Sequence, residues 1–133
     1  MIEVGQTKVL SKNEVLRVTG VSGKQYKTIQ WHTVQIVVRP LLNMEEYIKT
    51  VRAIVVDCMS KDGEIAIELL DFSTRLHIIA AYAFVELPDD MEQLYYVVYQ
   101  SDLYDTVLKV ANRAQIDAII KTVTCEAGWC KNE

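Results

Sequence analysis

Apolar and polar positions follow two different rhythms along this chain, and the change falls at Pro40. Before it the rhythm is that of strands. Ile2 to Leu10 mixes apolar and polar residues and reads as a short strand or a loose arm, and Ser11-Lys12-Asn13 as a break. Val15 to Val21 reads as a second strand. Ser22-Gly23-Lys24 follows as a hairpin turn, because Gly supplies a positive φ. Tyr26 to Val38 is the densest run of β-branched and aromatic residues and reads as one long strand. Its alternation changes phase. Ile29 and Trp31 share one face, Val34, Ile36 and Val38 share the other, and the slip lies at His32-Thr33. That predicts a β-bulge, which would restore a single apolar face, or a strand that passes from one sheet to another surface. Pro40 then ends the ladder, since it has no N–H.

After Pro40 the apolar residues recur at three and four. Asn43 reads as an N-cap, with Glu45 and Glu46 where the helix dipole favours anions. A first helix runs to about Met59 on Met44, Tyr47, Ile48, Val51, Ile54, Val55 and Cys58. Ser60 to Gly63 is a turn. Its Asp-Gly pair lacks the ligand spacing of a calcium loop. A second, central helix spans about Glu64 to Val85, with Ile65, Leu69, Phe72, Leu76, Ile79 and Ala83 on one face and Leu70, Ile78 and Tyr82 widening it. Pro88 opens a third helix to about Tyr99. Ser101 caps a fourth segment to Ala111, and Asn112 with Gln115 forms an Asn/Gln capping box for a fifth. The expected class is α+β: an N-terminal β-hairpin or small antiparallel sheet followed by a four- to five-helix bundle. The expected organisation is a basic β segment or arm (1–42), an acidic helical body (43–124) with a core of its own, and a frayed tail (125–133).

Charge sharpens the division. Residues 1–42 carry six Lys/Arg against two Asp/Glu, and the remaining 91 residues carry eight against sixteen. The overall charge of −4 argues against a general nucleic-acid binder. No secretory signal is read at the N-terminus, and no apolar run approaches the ~18 residues of a membrane span. Three cysteines fit a reducing compartment. Cys58 falls on an apolar helix face. Cys125 and Cys130 stand four residues apart, far from His32 and His77, so no zinc spacing results and no metal or cofactor is expected.

Four groups of residues could carry chemistry. The carboxylates Asp89, Asp90, Glu92, Asp102 and Asp105 read as helix-terminal charges. Tyr95, Tyr96, Tyr99 and Tyr104, in a chain of seven tyrosines, form a candidate protein-binding surface, since Tyr offers rigid apolar area with a polar tip. Trp31 and His32, near Lys24, Lys27 and Arg39, form a second candidate surface. Gly20-x-x-Gly23-Lys24 is too short for a phosphate loop. His77 sits beside the apolar stripe with no Ser, Cys or carboxylate pair placed by sequence to work with it, so no enzyme is expected.

The run LPDDMEQLYYVVYQSDLYDTVLKVANRAQIDAIIKTV (Leu87 to Val123), with the Asn43–Tyr82 helices and the Pro-terminated lead-in VQIVVRPLL, resembles small proteins from the morphogenesis gene clusters of tailed bacteriophages infecting Firmicutes. The resemblance implies an extended N-terminal segment on an all-helical body and a non-enzymatic virion or assembly role. It brings no catalytic residues. The expected partners are other virion or assembly proteins, with copies of this chain among the candidates, met in the host bacterial cytoplasm or in the particle. Strand pairing by residues 26–38 and the tyrosine-bearing helix face would make the contacts. The alternative is a phage inhibitor of a host defence complex, acting by binding or charge mimicry.

Overall fold

The chain begins with a short hairpin, β1 (Ile2–Val4) and β2 (Thr7–Val9), paired antiparallel with Ile2 opposite Val9. In this computed structural model the described residues are 2–4, 7–9, 11–19, 26–59 and 62–126. Helix α1 (Lys12–Thr19) follows where a break and a strand were expected. Its cause is a capping box. The Ser11 hydroxyl accepts from the Glu14 N–H at 3.2 Å, and the Glu14 carboxylate accepts from the Ser11 N–H at 3.2 Å. Two otherwise unpaired donors are satisfied at once, which outweighs the modest strand preference of Val15 and Val18. The turn expected at Ser22-Gly23-Lys24 lies outside the described residues.

The long strand expected over 26–38 is a tight hairpin. β3 (Lys27–Trp31) and β4 (Val34–Val38) pair antiparallel, with Trp31 opposite Val34, Ile29 opposite Ile36 and Lys27 opposite Val38. The two residues at the phase slip, His32 and Thr33, are the turn. His32 adopts φ 56°, in the left-handed region that a two-residue hairpin turn needs. A turn of two residues returns the chain with its phase changed. Ile29, Trp31, Val34, Ile36 and Val38 therefore lie on one face. No bulge is required.

That face enters the helical core. Ile36, Val38 and Leu42 are buried together with Ile54, Ile78, Ile79, Tyr82, Val98, Val107, Ile116 and Ile119. The helical body therefore does not complete its core by itself. β4 is also stitched to the chain leaving the central helix. The Arg39 N–H donates to the Tyr82 carbonyl at 2.8 Å, and the Phe84 N–H donates to the Val37 carbonyl at 3.0 Å.

The body holds α2 (Met44–Cys58), α3 (Ile67–Tyr82), α4 (Met91–Tyr95), a π-type turn (Tyr96–Gln100), α5 (Leu103–Leu108) and α6 (Arg113–Glu126). The architecture is α+β. Asn43 and Glu46 form the capping box of α2. Gly63, at φ 81°, turns the chain between α2 and α3. α3 buries Leu70, Ser73, Thr74, Ile78, Ile79 and Tyr82. Leu69, expected on the core face, is 43% exposed. A helix apolar over much of its circumference leaves its orientation to its neighbours.

Gln115 holds hairpin and helices in place. Its side chain accepts from the Leu42 N–H at 2.8 Å, donates to the Leu42 carbonyl at 3.0 Å, and accepts from the buried Tyr82 hydroxyl. Half of the expected capping box survives: the Asn112 side chain accepts from the Gln115 N–H at 2.9 Å. The other half is given to the clamp, and the Asn112 N–H turns to the Pro40 carbonyl at 2.6 Å. Burial raises the Tyr82 hydroxyl pKa above its ordinary value, so it stays a neutral donor. Replacing Gln115 by Leu leaves three partly or fully buried polar groups without this partner. The expected loss is about 2–4 kcal/mol in urea unfolding, larger than the loss for Tyr82→Phe, which removes the donor itself.

Candidate functional site

The hairpin tip and the tyrosine group arrive by different routes. The two-residue turn carries Trp31 and His32 to the start of α5. There the Trp31 indole N–H donates to Asp102 Oδ1 at 2.8 Å, and His32 Nε2 lies 3.1 Å from the same oxygen. Asp102, expected to be a helix-terminal charge, makes no side-chain cap on α5. It locks the hairpin tip instead. The indole N–H, assisted by the imidazole, holds the Asp102 carboxyl below its ordinary range. Sequence spacing could not reveal this, since 71 positions separate Trp31 from Asp102.

The four tyrosines divide. Tyr104 is 8% exposed and turned inward. The Arg75 guanidinium stands 4.8 Å from its ring centroid and 5.3 Å from that of Tyr99. Arg75 Nε is also 3.0 Å from Asp71 Oδ2, the oxygen that accepts from the Tyr99 hydroxyl at 2.6 Å. Burial, with the neighbouring Asp71, pushes the Tyr99 pKa up to about 12. Tyr104 is therefore core, and Tyr99 is half surface and half framework.

Tyr95 and Tyr96 are 47% and 53% exposed. Their rings stand 5.8 Å apart, and Tyr95 is 5.4 Å from Tyr99. The π-type turn produces this grouping. Its closing bond runs from the Ser101 N–H to the Tyr96 carbonyl at 2.9 Å, five residues back, while Val98 is buried. The wide turn keeps Val98 in the core and leaves the ring side chains outside. Met91 and Leu69 are also exposed. Glu68, Leu69, Phe72, Met91, Tyr95 and Tyr99 line a shallow depression of about 250 Å³. The surface is apolar and polarisable, with Glu68 and Glu92 exposed beside it.

A second depression of about 350 Å³ lies along α2, bordered by Tyr47, Ile48, Val55, Val56 and Thr122. Met44, expected on the core face of α2, is exposed at its end.

Two of the remaining groups, Asp90 and His77, have partners within the chain. Asp90 caps α4 by accepting from the Gln93 N–H at 3.0 Å. His77 Nε2 meets Asp57 Oδ2, a carboxylate partner on α2 that the sequence did not indicate. Ser73, one turn from His77, donates to the Ile54 carbonyl at 3.4 Å. Cys58 is free and buried, and burial raises its thiol pKa. Among the described residues no cluster of three or more His, Cys, Asp or Glu side chains is placed to hold a metal. No described helix is long and apolar enough to cross a membrane. Cys130 lies outside the described residues.

Set against family models, curated proteins and solved structures, the chain matches none of them.

The Asp102 lock has an acid limit. A carboxyl whose folded pKa is lowered contributes stability that is present above its unfolded pKa and lost as pH falls through the folded one. The Trp31 indole N–H resonance should therefore shift with a midpoint below the ordinary carboxylate range of about 4. Asp102→Asn should abolish that titration. A midpoint at or above the ordinary value would contradict the lock.

Proposed function

We propose that this chain is a non-enzymatic protein that works by binding other proteins, as a component or assembly factor of a tailed bacteriophage particle. The exposed Tyr95–Tyr96–Met91–Leu69 surface supports the binding role most directly. Tyrosine and methionine offer large contact area, and a π-type turn beneath them spends helical regularity to present it. Tyr99, fixed by Asp71 and backed by Arg75, gives the surface a rigid floor. Rigid aromatic area loses little conformational freedom on binding, which is where affinity is most often lost.

The particle setting is supported by the resemblance carried by Leu87 to Val123. The partners would be other virion or assembly proteins, met in the host cytoplasm during assembly or in the particle itself. The acidic rim of the aromatic surface, Glu68 and Glu92, favours a partner with a cationic face. That observation also supports a second reading, an inhibitor that occupies a basic channel of a host defence complex.

Mass spectrometry of purified virions and of assembly intermediates, with a tagged chain expressed from the phage, separates the two. The assembly reading expects the chain in one of these fractions. It also expects Tyr95→Ser with Tyr96→Ser to weaken incorporation at least about tenfold, because exposed anchor tyrosines each carry roughly 1–2 kcal/mol at an interface. The melting temperature should change little, as both rings are solvent-facing. Absence from both fractions, with recovery of a host nuclease complex, would favour the inhibitor.

A further inference from the structure

Among the described residues, the hairpin has one edge engaged and one edge open. β4 receives Phe84 along its outer side, so part of that edge is paired. β3 pairs with β4 alone among the described residues. In a hairpin closed by a two-residue turn, the residues flanking the turn exchange both backbone hydrogen bonds, and the pattern alternates outward. Trp31, Ile29 and Lys27 therefore direct their backbone groups to β4. Thr28 and Gln30 direct theirs away from it. The Phe84 bond to Val37, the partner of Thr28, confirms this alternation on the other strand.

The open edge is only lightly protected. It has no Pro and no bulge, and of its five residues only Lys27 is charged. It is also self-complementary. Laid antiparallel against a second copy of itself about Ile29, Thr28 pairs with Gln30 of the other chain, and the reverse. That register uses every outward backbone group of Thr28 and Gln30. Ile29 then faces Ile29. Lys27 comes opposite Trp31 of the second copy, on the same face, beside the Asp102 carboxylate that Trp31 holds. Both ends of the paired strands thus bring a cation to an indole and a carboxylate. A register shifted by two residues would bring Lys27 opposite Ile29 or opposite a turn residue and lose this match.

We propose that β3 is a homodimerisation edge: two copies join through an antiparallel, two-fold β3–β3 pairing centred on Ile29, giving a continuous four-stranded sheet. Strand addition supplies backbone hydrogen bonds for affinity, and the Lys27–Trp31/Asp102 contact sets the register. The aromatic face on α4 is left for other partners. This inference is independent of the phage setting.

Light scattering behind size-exclusion chromatography, over micromolar to millimolar concentration, should move the full chain from 15.2 kDa to twice that mass. In parallel, the Thr28 and Gln30 amides should gain exchange protection as concentration rises, while the Ile29 amide is protected throughout. Gln30→Pro removes an outward N–H and leaves the β3–β4 backbone ladder intact, losing within the hairpin the Gln30 side-chain amide bond to the His32 carbonyl at 2.8 Å, so it should give a monomer with nearly unchanged circular dichroism. Lys27→Glu opposes Asp102 at both ends and should weaken the dimer by about tenfold. If Gln30→Pro misfolds, the amide protection in the unaltered chain still decides. A chain monomeric at every concentration overturns the proposal. So does a dimer in which the Thr28 and Gln30 amides stay unprotected. Neither result would touch the aromatic-face reading, which is tested by virion composition.

Discussion

The Gln115 amide is the constraint on which the rest of this molecule depends. The segment between Pro40 and Asn43 has to turn from a strand ladder into a helix while buried, with Leu42 only 3% exposed. A buried backbone N–H and C=O without partners would cost several kcal/mol together. Gln115 supplies both partners from one side chain, and the Tyr82 hydroxyl fills a further valence. One amide therefore ties the lead-in to the C-terminal helix and to the central one. With the Asn112–Pro40 bond it sets where the hairpin stands.

From that anchor the hairpin is held at both ends. At its base, Arg39 donates to the Ala81 carbonyl at 2.9 Å and pairs with Glu46 at 2.6 Å, joining the strand exit to two helix ends. At its tip, Asp102 receives Trp31 and His32. The apolar face of the hairpin has nowhere else to go but into the core. Among the described residues the outer edge of β3 is left unpaired, and the tyrosine surface lies on the helical side of the molecule. The two surfaces proposed for interaction are thus consequences of how the core was closed.

Several elements were legible in order and in kind. The Asn43 cap, the Asp-Gly turn and the successive body helices follow from local rules that act within four residues of one another. The missed elements share a different cause. At Ser11 to Glu14 a capping box stands inside a β-rich context, and the cap overrides the strand preference of the residues that follow. At His32-Thr33 the phase slip was visible, but a non-Gly residue at positive φ made the turn hard to see. Tyr104 and Tyr99 both lie against Arg75 of α3, and only the way their segments pack against that helix separates core from surface.

The sequence by itself determined the α+β class, the change of rhythm at Pro40 and the clustering of Tyr95, Tyr96, Tyr99 and Tyr104. Those are properties of local periodicity and composition, which short-range sterics and hydrogen bonding enforce. The tertiary structure alone decided that Asp102 serves the hairpin rather than its own helix. It also decided that Gln115 abandons half its capping box for Leu42, and that Tyr95 and Tyr96 face solvent while Tyr104 does not. Asp102 finds its partner 71 positions away, Gln115 finds its partners 73 and 33 positions away, and the ring of Tyr104 packs under Arg75 from a different helix. A polar group or a ring has several locally acceptable settings, and which is occupied is settled only when burial makes the unpartnered ones too costly.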